Sequence, residues 1–180
     1  MHAQLEPVVA AAKENRRRFE SFCRSLTDAQ LEAPIAATTW RVKDYIAHLA
    51  TIDIWVGEWF EHQAEGRPWR PRAGDGGAFN IDDWNEARIQ ERLDTGVEDL
   101  LGEAAGHRAR LWAAVDRFTD EVLEQRFEFH ERTITFLRYL QLWVAHDPAH
   151  AADMLRGLPE LSGEADLREW IAKHSIPLPA

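Results

Sequence analysis

The sequence predicts an all-α fold, a four-helix bundle, from three observations. Apolar residues recur at helical spacing along four long segments of the chain. Between the second and third segments, residues 65–80 are rich in Gly and Pro and show no periodicity, which is typical of a long crossover. The pattern Thr-Asp-x-x-Leu-Glu occurs at Thr27 and again at Thr119, each time before a long helix. Two helical hairpins joined by the crossover fit this repeat.

Composition limits the kind of protein this is. The chain has 180 residues, enough for one domain with a substantial core, and 31 acidic against 21 basic residues give a net charge of −10. This acidity argues against a nucleic-acid partner. The single Cys23 excludes an internal disulfide and any multi-thiolate metal site. Without a membrane-length apolar run or a signal-peptide pattern, we expect a soluble, cytoplasmic protein.

The first two predicted helices run from about Leu5 to Leu26 and from about Val42 to His62. Cys23 lies in the apolar stripe of the first helix, which favours an inert, packed thiol over a nucleophile. The neighbouring run Arg16-Arg17-Arg18 is interpreted as a solvated face rather than a binding site.

The third predicted helix begins at Asp83, where Asp83-Trp-Asn-Glu86 resembles a capping box, and continues to about Phe118. A second such box at Thr95 predicts a break near Asp94. The fourth helix runs from after Thr133 to about Arg156, and Pro148 is expected to kink it. We expect residues 1–158 to form the bundle, and a short helix and tail in residues 159–180 to pack on the same domain.

Three histidines lie on predicted core faces. His146 and His150 follow Trp143 by three and seven residues, so both point inward, one turn apart, at the spacing by which one helix chelates a metal ion. On its own, this pair is equally consistent with two hydrogen-bonded core histidines. His48, on the core face of the second helix, favours a shared divalent metal, because three buried imidazoles that could all become charged are costly without one.

Three histidine ligands leave one coordination position open, as in catalytic zinc sites. Asp53 and Asp147 fall on core-facing arcs, where they could orient the imidazoles or act as catalytic general bases. The competing interpretation is that each carboxylate reaches solvent or caps a neighbouring group. The predicted substrate pocket is lined by aromatic side chains that lie near the histidines or border the crossover. They are Trp55, Trp59, Trp84, Tyr139 and Trp143.

Two stretches resemble the signatures of the DinB/YfiT-like superfamily: Trp40-Arg-Val-Lys-Asp-Tyr-Ile-Ala-His-Leu49 and Trp143-Val-Ala-His-Asp-Pro-Ala-His-Ala-Ala-Asp153, with the segment at Asp83 between them. The resemblance spans roughly residues 5 to 156. It implies a four-helix bundle of up-down-down-up topology with a long crossover between helices 2 and 3. It also implies a divalent metal, often zinc or nickel, held by His48, His146 and His150. Relatives of this kind commonly form homodimers.

The resemblance also implies a range of functions. Relatives include transferases that use low-molecular-weight thiols such as bacillithiol or mycothiol, and a mycothiol-dependent maleylpyruvate isomerase. The isomerase-type pattern has Glu where this chain has His146, which argues against that branch. We therefore expect a metal-dependent enzyme with thiol S-transfer chemistry, whose thiol is an exogenous co-substrate. The alternatives are a hydrolase that uses metal-bound water with Asp147 as base, and a non-catalytic protein that binds or sequesters a small molecule.

Overall fold

The computed structural model describes residues 2–69, 79–129 and 132–174. Most of the predicted crossover and the end of the C-terminal tail therefore lie outside the described residues. The described part is mostly helical and contains one small sheet. Its elements are α1 (Glu6–Ser25), α2 (Asp28–Leu31), α3 (Val42–Ala64), α4 (Ile81–Gln90), α5 (Val97–Val115), α6 (Asp120–Glu124), β1 (Arg126–Phe129), β2 (Arg132–Thr135), α7 (Phe136–Val144), α8 (His146–Leu155) and α9 (Ala165–His174). Within these ranges, no helix has the length and apolar character that a membrane crossing requires.

The described residues divide into two compact units. One is built mainly from Ile46–Val122, and the other from Ala3–Tyr45 together with the chain from Leu123 onward. In the first unit, the buried ring of Phe60 on α3 packs against Phe118, with centroids 5.6 Å apart. In the second unit, α1 contacts α7 and α8, and α8 contacts α9. Helix α3 begins in the second unit and continues in the first.

The repeated Thr-Asp-x-x-Leu-Glu pattern folds as a short capped helix in both copies. At α2, the Thr27 hydroxyl accepts a hydrogen bond from the backbone N–H of Gln30, whose side chain accepts from the backbone N–H of Thr27 in return. At α6, the Thr119 hydroxyl accepts from the backbone N–H of Val122. A hydroxyl at this position satisfies one of the N–H groups that a helix start leaves unbonded, and this need explains the pattern.

The predicted third helix is interrupted as expected, since α4 ends at Gln90 and α5 begins at Val97. Its predicted start was wrong by two residues. The N-cap of α4 is Asn80, whose side chain accepts from the backbone N–H of Asp82. Asp83, which was assigned to the cap, instead lies in the first turn with Asp82, where acidic side chains interact favourably with the positive end of the helix dipole.

The prediction of an all-α fold was wrong at one place. Strands β1 and β2 form an antiparallel hairpin in which Arg126 pairs with Thr135 and Phe129 with Arg132. Strand β1 alternates charged residues with phenylalanines, a period-two pattern typical of strands, and β2 is rich in the β-branched residues that favour strands. The predicted fourth helix consequently starts later, at Phe136, capped by the Thr135 hydroxyl. The up-down-down-up order of the long helices stays a prediction.

Candidate metal centre

Helix α8 places His146 and His150 one turn apart. Their Nε2 atoms are 3.2 Å apart, and the two rings meet edge to face with centroids separated by 4.5 Å. The indole of Trp143 stacks on the His146 ring, with centroids 4.3 Å apart and an angle of 12° between the planes. This stacking restricts rotation of the imidazole and holds the two Nε2 atoms close together.

Asp153 binds the other nitrogen of the His150 ring. Its Oδ2 lies 3.1 Å from His150 Nδ1, while its Oδ1 accepts from Arg156 at 2.9 Å. A carboxylate on Nδ1 fixes the proton there and leaves Nε2 with a lone pair to offer, an arrangement common behind metal-binding histidines. Sequence reasoning did not assign Asp153 to the site. The signal that could have found it is a carboxylate three residues after a candidate ligand on one helix.

His48 lies on α3, three residues after Tyr45, and is only 5% exposed. The Tyr45 ring is 5.4 Å from the His150 ring, and residues three apart lie on one face of a helix. His48, His146 and His150 each offer one ligand atom, and these atoms all lie within 4.8 Å of one another. The three histidines singled out in the sequence are thus brought together.

The donor set fits a divalent metal of the zinc or nickel type. With Zn–N bonds of about 2.0–2.1 Å, nitrogens in a tetrahedral site lie about 3.3 Å apart, close to the 3.2 Å between the His146 and His150 Nε2 atoms. Imidazole nitrogen is a preferred ligand of both zinc and nickel.

Tyr45 is a second residue beside the histidines that sequence reasoning did not assign. Burial, and next the negative charge of Asp153, raise the pKa of the Tyr45 phenol. The phenol is therefore held in its protonated form and can donate a hydrogen bond. Its position as the residue one turn before His48, on the same helix face, is the signal that could have identified it.

Asp147 and Asp53, predicted as catalytic bases, are both buried in ion pairs with arginines. Arg16 donates to both carboxylate oxygens of Asp147, at 2.9 and 3.0 Å. Arg108 donates to Asp53. A buried carboxylate requires such a partner, so these pairs favour a structural role for each aspartate, and general-base catalysis by either stays a prediction.

The interpretation of the Arg16-Arg17-Arg18 run as a solvated face was wrong for its first member. Arg16 is only 7% exposed. Its neighbour Arg17 follows the prediction and is exposed, with an ion pair to Glu14 one turn earlier. The difference arises because one face of α1 packs against α7 and α8 while the other faces solvent.

Two of the predicted pocket residues lie in a continuous line of rings. Tyr139 contacts Trp143, with centroids 6.0 Å apart, and Trp143 contacts His146. The hairpin extends this line, because Phe127 and Phe129 both pack edge to face against Tyr139 at 5.6 and 5.2 Å. Sequence reasoning missed both phenylalanines because it placed no strands in this segment.

Trp55 and Trp59, both on α3, belong to a cluster of aromatic rings. Their rings are 6.1 Å apart, and Trp69 packs against both, at 4.8 and 5.8 Å. Phe79 stacks on Trp55 with nearly parallel planes. Trp84, the remaining predicted pocket residue, is half-buried on α4, where the Arg88 guanidinium lies over its ring.

Cys23 is the one cysteine of the chain, and it is buried on α1. Burial raises the pKa of its thiol far above the ordinary value. A buried thiol that stays protonated is a poor nucleophile. The structure therefore agrees with the interpretation of Cys23 as an inert packing residue.

A family model describing the DinB superfamily matches residues 11–154 of the chain. The chain belongs to the DinB superfamily. The match covers most of the molecule and includes all three histidines of the cluster. It confirms the resemblance seen in the two sequence signatures.

Solved structures similar to this DinB member include the mycothiol-dependent maleylpyruvate isomerase. With it the TM-score is 0.67 at 16% identity, over 97% of this chain and 70% of that one. A histidine-to-alanine variant of that isomerase gives 0.64 at 15% identity, over 86% of this chain and only 63% of the isomerase chain. At these identities, the likeness is one of fold. No curated protein matches the chain.

Proposed function

We propose that this DinB member is a metal-dependent enzyme that transfers a low-molecular-weight thiol to a small electrophilic substrate. The observation that carries the proposal is the cluster of ligand atoms from His48, His146 and His150, all within 4.8 Å of one another. The contact between Asp153 and the far nitrogen of His150 supports it, because it leaves Nε2 available to a metal.

The three imidazoles would hold a zinc or nickel ion and leave one position open. When bound, such an ion binds a thiol sulfur and favours its thiolate, the nucleophilic form, at neutral pH. The thiol comes from a co-substrate, since the chain's own thiol is the buried Cys23. Trp143, in ring contact with His146, and Tyr139, in ring contact with Trp143, would form an apolar wall for the electrophile.

The structural likeness to a mycothiol-dependent isomerase supports a thiol as co-substrate. Isomerisation itself is not proposed, because the isomerase-type pattern has Glu at the position of His146. Replacing an imidazole by a carboxylate changes both the charge and the ligand preference of a metal site. The chain also spans only 63–70% of the length of the isomerase chains it resembles, so its substrate has to be established separately.

A thiol-transfer assay tests the proposal. Zinc- or nickel-loaded protein is mixed with a low-molecular-weight thiol and an activated aryl halide. The thiol loses its proton, the carbon–sulfur bond replaces the carbon–halogen bond, and both the thioether conjugate and the released halide ion are measured. We expect conjugate to form and a chelator to abolish its formation. His150→Ala should lose this activity, and His107→Ala, which changes a histidine on α5 outside the cluster, should retain it.

Metal-dependent ester hydrolysis without a thiol would instead support the hydrolase. Stoichiometric metal with no turnover of either substrate would support sequestration, and both results would contradict thiol transfer.

A further inference from the structure

The junction between α7 and α8 contains a backbone carbonyl that its own helix leaves without the usual donor. In a continuous helix, the N–H of residue 148 would donate to the carbonyl of residue 144. Pro148 has no N–H, so the Val144 carbonyl needs another partner. Asn15 on α1 supplies it, since its Nδ2 donates to Val144 O at 2.8 Å. The asparagine thus replaces the hydrogen bond that the proline removes.

The opposite end of the Asn15 amide is also held. Its Oδ1 accepts a hydrogen bond from Trp170 Nε1 on α9 at 3.0 Å. Asn15 is 0% exposed, so both bonds lie in the interior of the unit, where an unbonded amide is costly. Together the two bonds satisfy both ends of the buried Asn15 amide.

The next residue of α1 fixes the same junction at a second point. Arg16 makes a bidentate ion pair with Asp147, and both side chains are almost fully buried. A bidentate guanidinium–carboxylate pair restrains both distance and orientation. Asp147 lies directly between His146 and Pro148, so the restraint acts on the first turn of α8.

We propose that Asn15 and Arg16 are positioning residues for the metal centre. Together they hold the start of α8 against α1, and so set where His146 lies relative to Trp143, the α7 indole that stacks on its ring. A helix interrupted at Ala145 and lacking one hydrogen bond would otherwise bend there. This inference rests on the proposed function, because it assigns the two residues a role in the same metal site. It also assigns Asp147 to anchoring rather than to proton transfer.

Cobalt binding tests the proposal in the full-length protein, because the visible spectrum of bound Co²⁺ reports coordination geometry. Asn15→Leu keeps the volume of the side chain and removes both hydrogen bonds. Trp170→Phe is the matched control, since it removes the bond to Asn15 Oδ1 and leaves the donor to Val144 in place. We expect Asn15→Leu to weaken Co²⁺ binding by about tenfold or more and to change the spectrum. We expect Trp170→Phe to change the Co²⁺ affinity and the visible spectrum much less.

Restoring the missing donor provides a rescue. In the double variant Asn15→Leu, Pro148→Ala, the new backbone N–H can bond to Val144 O, so we expect Co²⁺ affinity to recover. A second variant, Arg16→Met with Asp147→Leu, removes the ion pair without leaving one buried charge alone, and should also weaken binding. Circular dichroism would confirm that each variant is folded at the assay temperature.

Wild-type affinity and spectrum in folded Asn15→Leu, or no recovery on adding Pro148→Ala, would overturn the positioning role. Failure of the metal site itself would appear differently, as no Co²⁺ binding by the wild type. In that case, the imidazole ¹⁵N spectrum of the metal-free protein still tests whether Asn15 positions the two histidines. Asn15→Leu should shift the His146 and His150 signals if Asn15 positions them. Unchanged signals would overturn the inference.

Discussion

The imidazole of His150 offers its two nitrogens to different partners. Nδ1 faces the Asp153 carboxylate at 3.1 Å, and Nε2 faces the ring of His146 at 3.2 Å. The carboxylate sets the tautomer and ring orientation, so that Nε2 is the nitrogen that can bind a metal. Asp153 is itself held by an ion pair with Arg156, so Arg156 also helps to orient the His150 ring.

Replacing Asp153 by Asn should therefore weaken metal binding while leaving all three histidines in place. We expect the metal affinity to fall by about 10- to 100-fold, the usual cost of losing such a partner. Competition against a chromophoric chelator measures it. Asp166→Asn, an exposed carboxylate on α9, is the matched control and should bind metal normally. Equal affinities for the two variants would contradict the role of Asp153.

Cys23 provides a test of where the reacting sulfur comes from. Its thiol is buried and its pKa is raised by burial, so it cannot supply a thiolate at neutral pH. We expect Cys23→Ala to leave the rate of thiol transfer unchanged per folded, metal-loaded molecule. The rate of conjugate formation, normalised to bound metal, measures this. Loss of activity with full metal occupancy would mean that the protein's own sulfur takes part.

Among the elements, long helices were predicted well and their junctions poorly. Periodicity locates α1 and α3 because each buries a continuous apolar stripe. The β1–β2 hairpin was not predicted, because two four-residue strands carry little periodic signal. Their pairing depends on contacts such as that of Phe129 with Tyr139. A kink at Pro148 was predicted, whereas the helix is interrupted at Ala145, and the bond that Asn15 supplies there was not predicted.

The junction between α4 and α5 is tied by an ion pair whose contribution depends on pH. Arg92 donates to both oxygens of Glu103 at 2.9 and 2.5 Å, and this hydrogen bonding lowers the pKa of the Glu103 carboxyl. A carboxyl with a lowered pKa stabilises the fold above its unfolded-state pKa. That contribution is lost as the pH falls through its folded-state pKa.

Glu103→Gln should accordingly lower the free energy of unfolding at neutral pH, by up to about 1 kcal/mol for a partly exposed pair. Below about pH 4, the difference from the wild type should shrink, because the wild-type carboxyl becomes protonated as well. Urea unfolding at both pH values measures it. Glu98→Gln, an exposed acid on the same helix, should show a smaller effect. A difference that stays constant with pH would contradict the ion-pair explanation.

At the scale of the whole molecule, the sequence identified the three histidines of the cluster better than the side chains around them. Histidines at i and i+4 on an apolar face, with a third on another helix, are readable from spacing alone. The partner of Asp147 is not, since Arg16 lies 131 residues away in the chain and within a run of three arginines. Long-range pairing of this kind is decided by packing, and a single sequence does not record it.

Membership of the DinB superfamily is consistent with many reactions, so the fold alone does not select one. This chain combines three clustered histidines, a carboxylate on the far nitrogen of one of them, and no accessible thiol among the described residues. That combination favours a bound metal and a thiol that comes from a co-substrate. Both depend on one central claim, that His48, His146 and His150 bind a divalent ion.

The most direct test of that claim is the metal content of protein loaded with zinc or nickel and then freed of excess ion. Inductively coupled plasma mass spectrometry would give the number of ions per chain for the wild type, His150→Ala and the control His107→Ala. We predict one ion per chain for the wild type and the control, and a near-complete loss in His150→Ala. Equal metal content in all three proteins, or none in the wild type, would contradict the account.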